Sequence, residues 1–285
     1  MTRNHPRLLT PADESQFEAF LAAHRDSSMF LRANVLRGGI TYRGDPFQAI
    51  YAAAFRGGDM IGVAAHCWNG WLLMQAPEEA AGLAQACVEW SGRKVTGLSG
   101  PLDQVRCARS ALGLADAEAT LEGDEWLYAL DLSDLVVPVA PSDAGTVCRA
   151  PRPEERDTLC AWRVAYDIET MGATDSPEHR RRSAEFLDAQ IDGGNAWVAV
   201  EAGAPVSLSA INASLPDIVQ LGGIYTPPEL RGRGYAKIAV AASLVAARER
   251  GASRAVLFTK NPSAERTYEA LGFRRVGDYS LVLLR

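Results

Sequence analysis

The chain has 285 residues, 47% of them apolar, enough to build two compact domains with separate cores. Its 29 basic and 35 acidic residues give a net charge of −6 and an isoelectric point near 5.4, which argues against a general nucleic-acid surface. No apolar run of about eighteen residues occurs and residues 1–14 lack the apolar block of a signal peptide, so a cytoplasmic chain without a membrane partner is expected.

Taken in order, Thr10-Pro11-Ala12-Asp13 reads as a helix start, with a capping hydroxyl, a first-turn proline and an early acid. A second helix over 28–36 ends at Gly38-Gly39. Three strands follow, over 48–55, 60–67 and 70–75, joined by Gly57-Gly58-Asp59 and Asn69-Gly70, which carry the residues tight hairpins require. A helix over 77–90, a strand over 93–98, a helix over 101–112 stopped by Gly113 and a strand over 125–132 complete the first half. Residues 135–145 are rich in proline and small side chains, as in a linker.

The second half repeats this order. Pro153-Glu154-Glu155 opens a helix carrying Leu159, Trp162 and Tyr166, and Ser176-Pro177-Glu178 caps another that runs to about 191. Strands are expected over 196–201, 206–212 and 217–226, then a helix over 235–250, a strand over 254–259, a helix over 262–271 stopped by Gly272, and a strand over 278–284. The shared order and the echo of Ala111-Leu112-Gly113 in Ala270-Leu271-Gly272 point to an internal duplication, with domains at 1–140 and 141–285.

Between the third strand and the long helix of the second half lies Arg231-Gly232-Arg233-Gly234. A loop at a helix start presents unpaired N–H groups and the positive end of the helix dipole, and glycines there let phosphate oxygens approach the main chain. No Gly-Lys-Ser/Thr follows, as a nucleoside-triphosphate loop requires, and Lys237 stands where a dinucleotide fingerprint needs its third glycine. The matching junction of the first half, Gln75-Ala76-Pro77-Glu78-Glu79, has no glycine and two acids, so it would repel phosphate.

Cys67, Cys87, Cys107, Cys148 and Cys160 are odd in number and lack a C-x-x-C pair, so reduced, mostly buried thiols are expected. His5, His24, His66 and His179 are scattered without ligand spacing, and no metal is expected.

Residues 221–273 resemble the acetyl-CoA-binding core of the GNAT superfamily of N-acetyltransferases. Arg231-Gly232-Arg233-Gly234-Tyr235-Ala236 is similar to its Q/R-x-x-G-x-G/A loop, Asn261 precedes Tyr268 at the family's spacing, and Tyr268-Glu269-Ala270-Leu271-Gly272-Phe273 resembles its closing Y-E-x-x-G-F. The resemblance implies an α/β fold of two tandem GNAT-like domains, each a mostly antiparallel sheet flanked by helices. It further implies that Ile224, Tyr225 and Thr226 pair with the pantetheine arm of acetyl-CoA and that the pyrophosphate rests on Arg231, Gly232, Arg233, Gly234, Tyr235 and Ala236. Asn261 would hydrogen-bond the arm, the amide near Ile224 would stabilise the oxyanion, and Tyr268 would protonate the leaving thiolate.

For the base, Glu169, Asp167, Asp217 and Glu201 are candidates, as is a water chain, with Glu169 favoured because it follows a helix bearing Trp162 and Tyr166. The first half resembles a degenerate copy, with Arg109 at the position of Tyr268 and Tyr42, Trp68 and Trp71 as candidate cleft residues, for all three of which ordinary core is the favoured reading.

The function expected on this resemblance is transfer of an acetyl group from acetyl-CoA to a primary amine by direct attack in a ternary complex, on a small-molecule or peptide acceptor. Polyamines, amino acids, antibiotics, peptide termini and lysine side chains all fit. The alternative is a non-catalytic acetyl-CoA sensor; a dinucleotide oxidoreductase fails on the glycine spacing.

Overall fold

A computed structural model describes residues 5–138 and 145–285 of the chain. Contacts divide it into two compact units, one of residues 1–127 with 277–285 and the other of residues 128–276.

In the first unit the chain runs β1 (Arg7–Leu8), α1 (Glu14–Ala23), α2 (Met29–Gly38), β2 (Ala49–Arg56), β3 (Asp59–Cys67), β4 (Trp71–Gln75), α3 (Ala80–Ser91), β5 (Gly97–Pro101), α4 (Leu102–Ala111) and β6 (Ala119–Asp131). Its sheet is antiparallel except for the pair β4–β5, which runs parallel across the α3 crossover. The last strand of the chain, β12 (Arg274–Leu284), pairs antiparallel with β5. One face buries Phe17, Leu21, Leu31, Tyr51 and Val63 beneath α1 and α2. The other buries Leu72, Leu83, Cys87, Leu98 and Val105 beneath α3 and α4.

The second unit contains β7 (Val147–Arg149), α5 (Arg156–Met171), α6 (Pro177–Asp192), β8 (Ala196–Glu201), β9 (Ala204–Ser214), β10 (Ile218–Tyr225), α7 (Tyr235–Glu249), β11 (Arg254–Thr259) and α8 (Pro262–Glu269). Its strands β11-β10-β9-β8-β7 lie in that order, with β10–β9, β9–β8 and β8–β7 antiparallel and β10–β11 parallel across the crossover helix α7. Helices α5 and α6 cover one face through Leu159, Leu187, Val198 and Leu208. Helix α7 covers the other, where Ser243 meets Ser209 of β9 at 3.0 Å and Ala239 packs on Ala199 and Val206.

The mixed α/β class and the helix-flanked, mostly antiparallel sheets are as the sequence indicates. Several boundaries differ for local reasons. Helix α3 starts at Ala80 rather than 77, because Glu79 takes φ 61°, outside the helical region. Strand β6 begins at Ala119, six residues before the expected start at 125, through a polar stretch whose only glycine is Gly123. Strands β1 and β7, two and three residues long, carry too little alternation to be read from sequence. Part of the expected 135–145 linker, including the boundary at 140/141, lies outside the described residues. The closing strand expected to belong to the second half contributes residues 277–285 to the first unit.

Gly272 ends the α8 segment at φ 103°, and a Cβ there would stand 2.9 Å from the main-chain oxygen of Asp134. Backbone cannot swing aside as a side chain can, so Gly272→Ala is expected to lower unfolding stability by about 1–3 kcal/mol, readable as a fall in thermal midpoint.

Candidate active site

The site is built where β10 leaves its neighbours. The parallel ladder joins Ile218, Val219 and Gln220 to Arg254, Ala255 and Val256, whereas β10 continues to Tyr225 and β11 to Thr259. On its other edge β10 slips register against β9 twice, between Gln220 and Leu221 and between Gly222 and Tyr225. These bulges bend the strand and leave residues 221–225 with an open edge on the β11 side. Gly223 sits at φ 69° within the second slip, a value that favours glycine.

Beyond Tyr225 a short 3-10 turn, Pro228–Leu230, leads to Arg231 and the two glycines, with Gly232 at φ 77° and Gly234 at φ 82° as N-cap of α7. No atom lies within 4 Å of where a Cβ would be at either glycine, so the main chain is bare on that side. Arg231 is held by its own surroundings: Nε donates to the Thr226 carbonyl at 2.9 Å and Nη2 to Glu169 Oε2 at 2.7 Å, and the guanidinium lies 5.6 Å from the Tyr225 ring. Its ion pair with Glu169 raises the Arg231 pKa, and burial followed by the Glu169 charge raises that of Tyr225. Arg233 Nη2 donates to the Glu229 carbonyl at 3.3 Å. Tyr235 is buried and its hydroxyl donates to Glu201, which raises the phenol pKa and ties the first turn of α7 to β8. Thr226 shares a 2.9 Å hydroxyl contact with Ser207 of β9. Ile224 is half-buried in the slipped segment, and Ala236 follows Tyr235 in the first turn of α7.

Two expected residues lie on α8 and its cap. Asn261 Oδ1 accepts from the Ser263 and Ala264 amides at 2.9 and 3.3 Å, so its carbonyl end caps the helix. Tyr268 is 7% exposed, with its ring edge-on to Phe273 at 5.8 Å.

The carboxylates considered as bases separate clearly. Glu169 is ion-paired to Arg231 of the loop. Glu201 accepts from Tyr235 and from Thr146 Oγ1 at 3.2 Å. Asp217 precedes β10, at the end of the strand opposite the loop. Asp167 pairs with Arg163, whose Nη1 is the atom met at the Gly223 Cβ position. It is 7% exposed, pairs with Arg163 through Nη2 at 2.8 Å and Nε at 3.2 Å, accepts from Ser183 at 3.0 Å, and has His179 Nε2 at 3.6 Å.

Sequence reasoning missed Arg163 and Asn212, which meet this segment from α5 and β9. A signal was present in the i,i+4 pairs Arg163/Asp167 and His179/Ser183, which place charge and hydroxyl on inward helix faces. Of the candidate cleft residues in the first unit, Trp68 and Trp71 pack on its core, and Arg93 stacks on Tyr42 at 4.3 Å. Arg109 reaches Glu122 at 3.0 Å and the Leu114 and Ala115 carbonyls. No group of three or more metal-binding side chains occurs among the described residues, and none of their helices is long and apolar enough to cross a membrane.

Residues 161–273 match the acetyltransferase (GNAT) family. A curated acetyltransferase of Agrobacterium fabrum is 41% identical over 54 residues, 19% of this chain and 39% of that protein; the chain therefore spans well under half of that relative. Among solved structures, a GCN5-related N-acetyltransferase from Kribbella flavida aligns over 93% of this chain and 95% of its own, with TM-score 0.59 and 16% identity. A tandem GNAT protein from the clavulanic acid biosynthesis pathway aligns over 98% and 97%, with TM-score 0.52 and 14% identity. At such identities the structural likeness speaks to the fold.

The thiols bear on the chemistry open to the site. All five cysteines are free, but only Cys67 and Cys87 are buried; Cys148 and Cys160 are half-buried and Cys107 is exposed, so the expectation of mostly buried thiols is corrected. Burial pushes Cys67 and Cys87 up to about 12 and Cys148 up to about 11, and it also raises Cys160. Titration of the native chain with a thiol reagent near pH 8 is expected to show one fast thiol, removed by Cys107→Ser. A fast thiol at Cys148 or Cys160 instead would reopen a covalent acyl-enzyme route.

Proposed function

We propose, from the match of residues 161–273 to the acetyltransferase (GNAT) family, that the chain is an N-acetyltransferase moving an acetyl group from acetyl-CoA to a primary amine. The observation that carries this reading is the free edge of β10 from Leu221 to Tyr225, leading directly into a bare glycine turn at the start of α7. A pantetheine arm is a chain of amides, and such an edge can pair with it as a neighbouring strand would. The turn then meets the pyrophosphate with the unpaired N–H groups of Gly232 to Ala236 and the positive helix end.

With the donor so placed, the thioester carbonyl lies against the bulge, where the Ile224 amide is the donor for the developing oxyanion. The amine attacks the carbonyl carbon, the tetrahedral intermediate collapses with loss of the CoA thiolate, and Tyr268 supplies the proton that the thiolate takes up. No covalent enzyme intermediate is required. Glu169, paired with Arg231 beside the loop, and Asp167, paired with Arg163 and facing His179, are the carboxylates placed to receive the proton of the ammonium.

The first unit lacks the equivalent features. At the junction of β4 and α3 the Ala76 amide is already taken by Gln104 Oε1 at 2.6 Å, and no glycine stands between Gln75 and Ala80. One acetyl-CoA per chain follows.

Calorimetry with CoA is expected to give one site per chain. Replacing Gly232 and Gly234 together by alanine should weaken it by about tenfold or more, since both adopt positive φ and both line the anion turn. No heat with the wild-type chain would refute the proposal. Tyr268→Phe is expected to lower turnover about a hundredfold, with CoA affinity within about twofold of wild type. Unchanged turnover would remove Tyr268 from the mechanism.

A further inference from the structure

Two side-chain donors converge on the Gly222-Gly223 bulge, and the chemistry described above uses neither. The first is the Arg163 guanidinium. Its Nε and Nη2 grip Asp167, and its plane lies 4.5 Å from the Phe186 ring and 5.2 Å from the Tyr166 ring. Its third nitrogen, Nη1, has no hydrogen-bond partner among the described residues and stands 2.9 Å from where a Cβ on Gly223 would be. The second is Asn212, the unpaired residue of the β9 bulge between the Leu221–Ile211 and Gln220–Ala213 pairs. Its Oδ1 accepts from Gln190 Nε2 of α6 at 3.1 Å, which turns Nδ2 toward the strand, 1.9 Å from the Cβ position of Gly222. Both donors therefore reach the same short stretch of β10 from the face covered by α5 and α6.

We infer that Arg163 and Asn212 form a carboxylate-binding subsite for the acceptor, so that the preferred acceptors are amino-acid-like molecules carrying a carboxylate close to the reacting amine. The inference rests on the transferase reading and deepens it. The geometry argues for an anion in three ways. A guanidinium held along one edge by Asp167 and packed near the Phe186 and Tyr166 rings offers its remaining N–H groups with little further ordering, and such preorganised donors suit a carboxylate. Asn212 adds a neutral donor, so two oxygens can be met at once. The group met at Gly223 is also the guanidinium edge rather than its Asp167 partner, which favours an anion there over a purely cationic acceptor. Asp167, balanced by Arg163 on one side and facing His179 on the other, lies within the same cluster to take up the ammonium proton.

Arg163 and Asn212 are acceptor-contacting residues in this assignment; Asp167, Gln190 and the aromatic pair position them. Neither donor touches the glycine turn, so acceptor recognition and donor binding are separable by mutation.

The experiment compares the common α-amino acids with their decarboxylated amines, on the full chain saturated with CoA for binding and with acetyl-CoA for thiol release. At least one amino acid is expected to bind about tenfold or more tightly than its decarboxylated partner, with the same preference in kcat/KM wherever turnover is measured. Arg163→Met should erase that preference while leaving CoA affinity within about twofold. Because this change also strips Asp167 of its partner, Asn212→Ala serves as a second variant and should reduce the preference about threefold or more. The inference is overturned if CoA binds but the amines bind or react as well as the amino acids, if neither series binds, or if both variants keep the wild-type preference. Failure of the transferase reading itself would be seen separately, as absence of CoA binding by the wild-type chain.

Discussion

The second unit is governed by one broken ladder. From Ile218 to Gln220 strand β10 has a neighbour on each side, and from Leu221 onward it has β9 alone. A sheet interior does not leave main-chain donors and acceptors unpaired without a reason, because each such group costs free energy when kept from water. Here the reason is geometric: two bulges on facing strands turn β10 away from β11, and glycines 222 and 223 make the turn possible. Gly222 has no room for a Cβ beside the Asn212 amide, and Gly223 takes a positive φ.

The surroundings of this opening are rigid on both faces. Helix α7 is tied to the sheet by Tyr235 on Glu201 at its first turn and by Ser243 on Ser209 near its middle. Its N-terminus thus points at the loop without depending on the loop's own order. On the opposite face, α5 and α6 are joined through Asp167, which accepts from Ser183 and pairs with Arg163. A half-buried ion pair of this kind adds little to stability once desolvation is counted, but it fixes the direction of the guanidinium. Arg231 and Glu169 form a looser, more exposed counterpart at the loop.

The element order, both crossover helices and the glycine turn were legible because each rests on local chemistry: caps such as Ser176 and Asn261, stops such as Gly113 and Gly272, and hairpin glycines. Residues 196–201 and 254–259 are strands with the bounds read from sequence. What escaped depends on contacts between distant segments. Nothing near Arg163 announces that it meets Gly223, sixty residues away, and Asn212 reads as an ordinary strand residue until the β9 slip leaves it unpaired. The destination of the last strand was hidden for the same reason, since the alternation in residues 278–284 specifies a strand but not its neighbour, β5. Glu169 drew notice from the company of Trp162 and Tyr166, and its pairing with the loop arginine is a contact between segments sixty residues apart.

The two units share a backbone plan and differ at one turn. Each has a parallel strand pair linked by a crossover helix, and each brings a main-chain turn to the start of that helix. In the second unit the turn contains Gly232 and Gly234 and lies open. In the first, Gln104 fills the corresponding position by accepting from the Ala76 amide, and Glu78 and Glu79 place acids where an anion would need donors. An amide already satisfied by a neighbouring side chain gains little from a phosphate, and adjacent carboxylates repel one, so the turn of the first unit is poorly suited to an anion. The backbone plan is therefore permissive, and the chemistry is set by a few residues at one turn and one bulge.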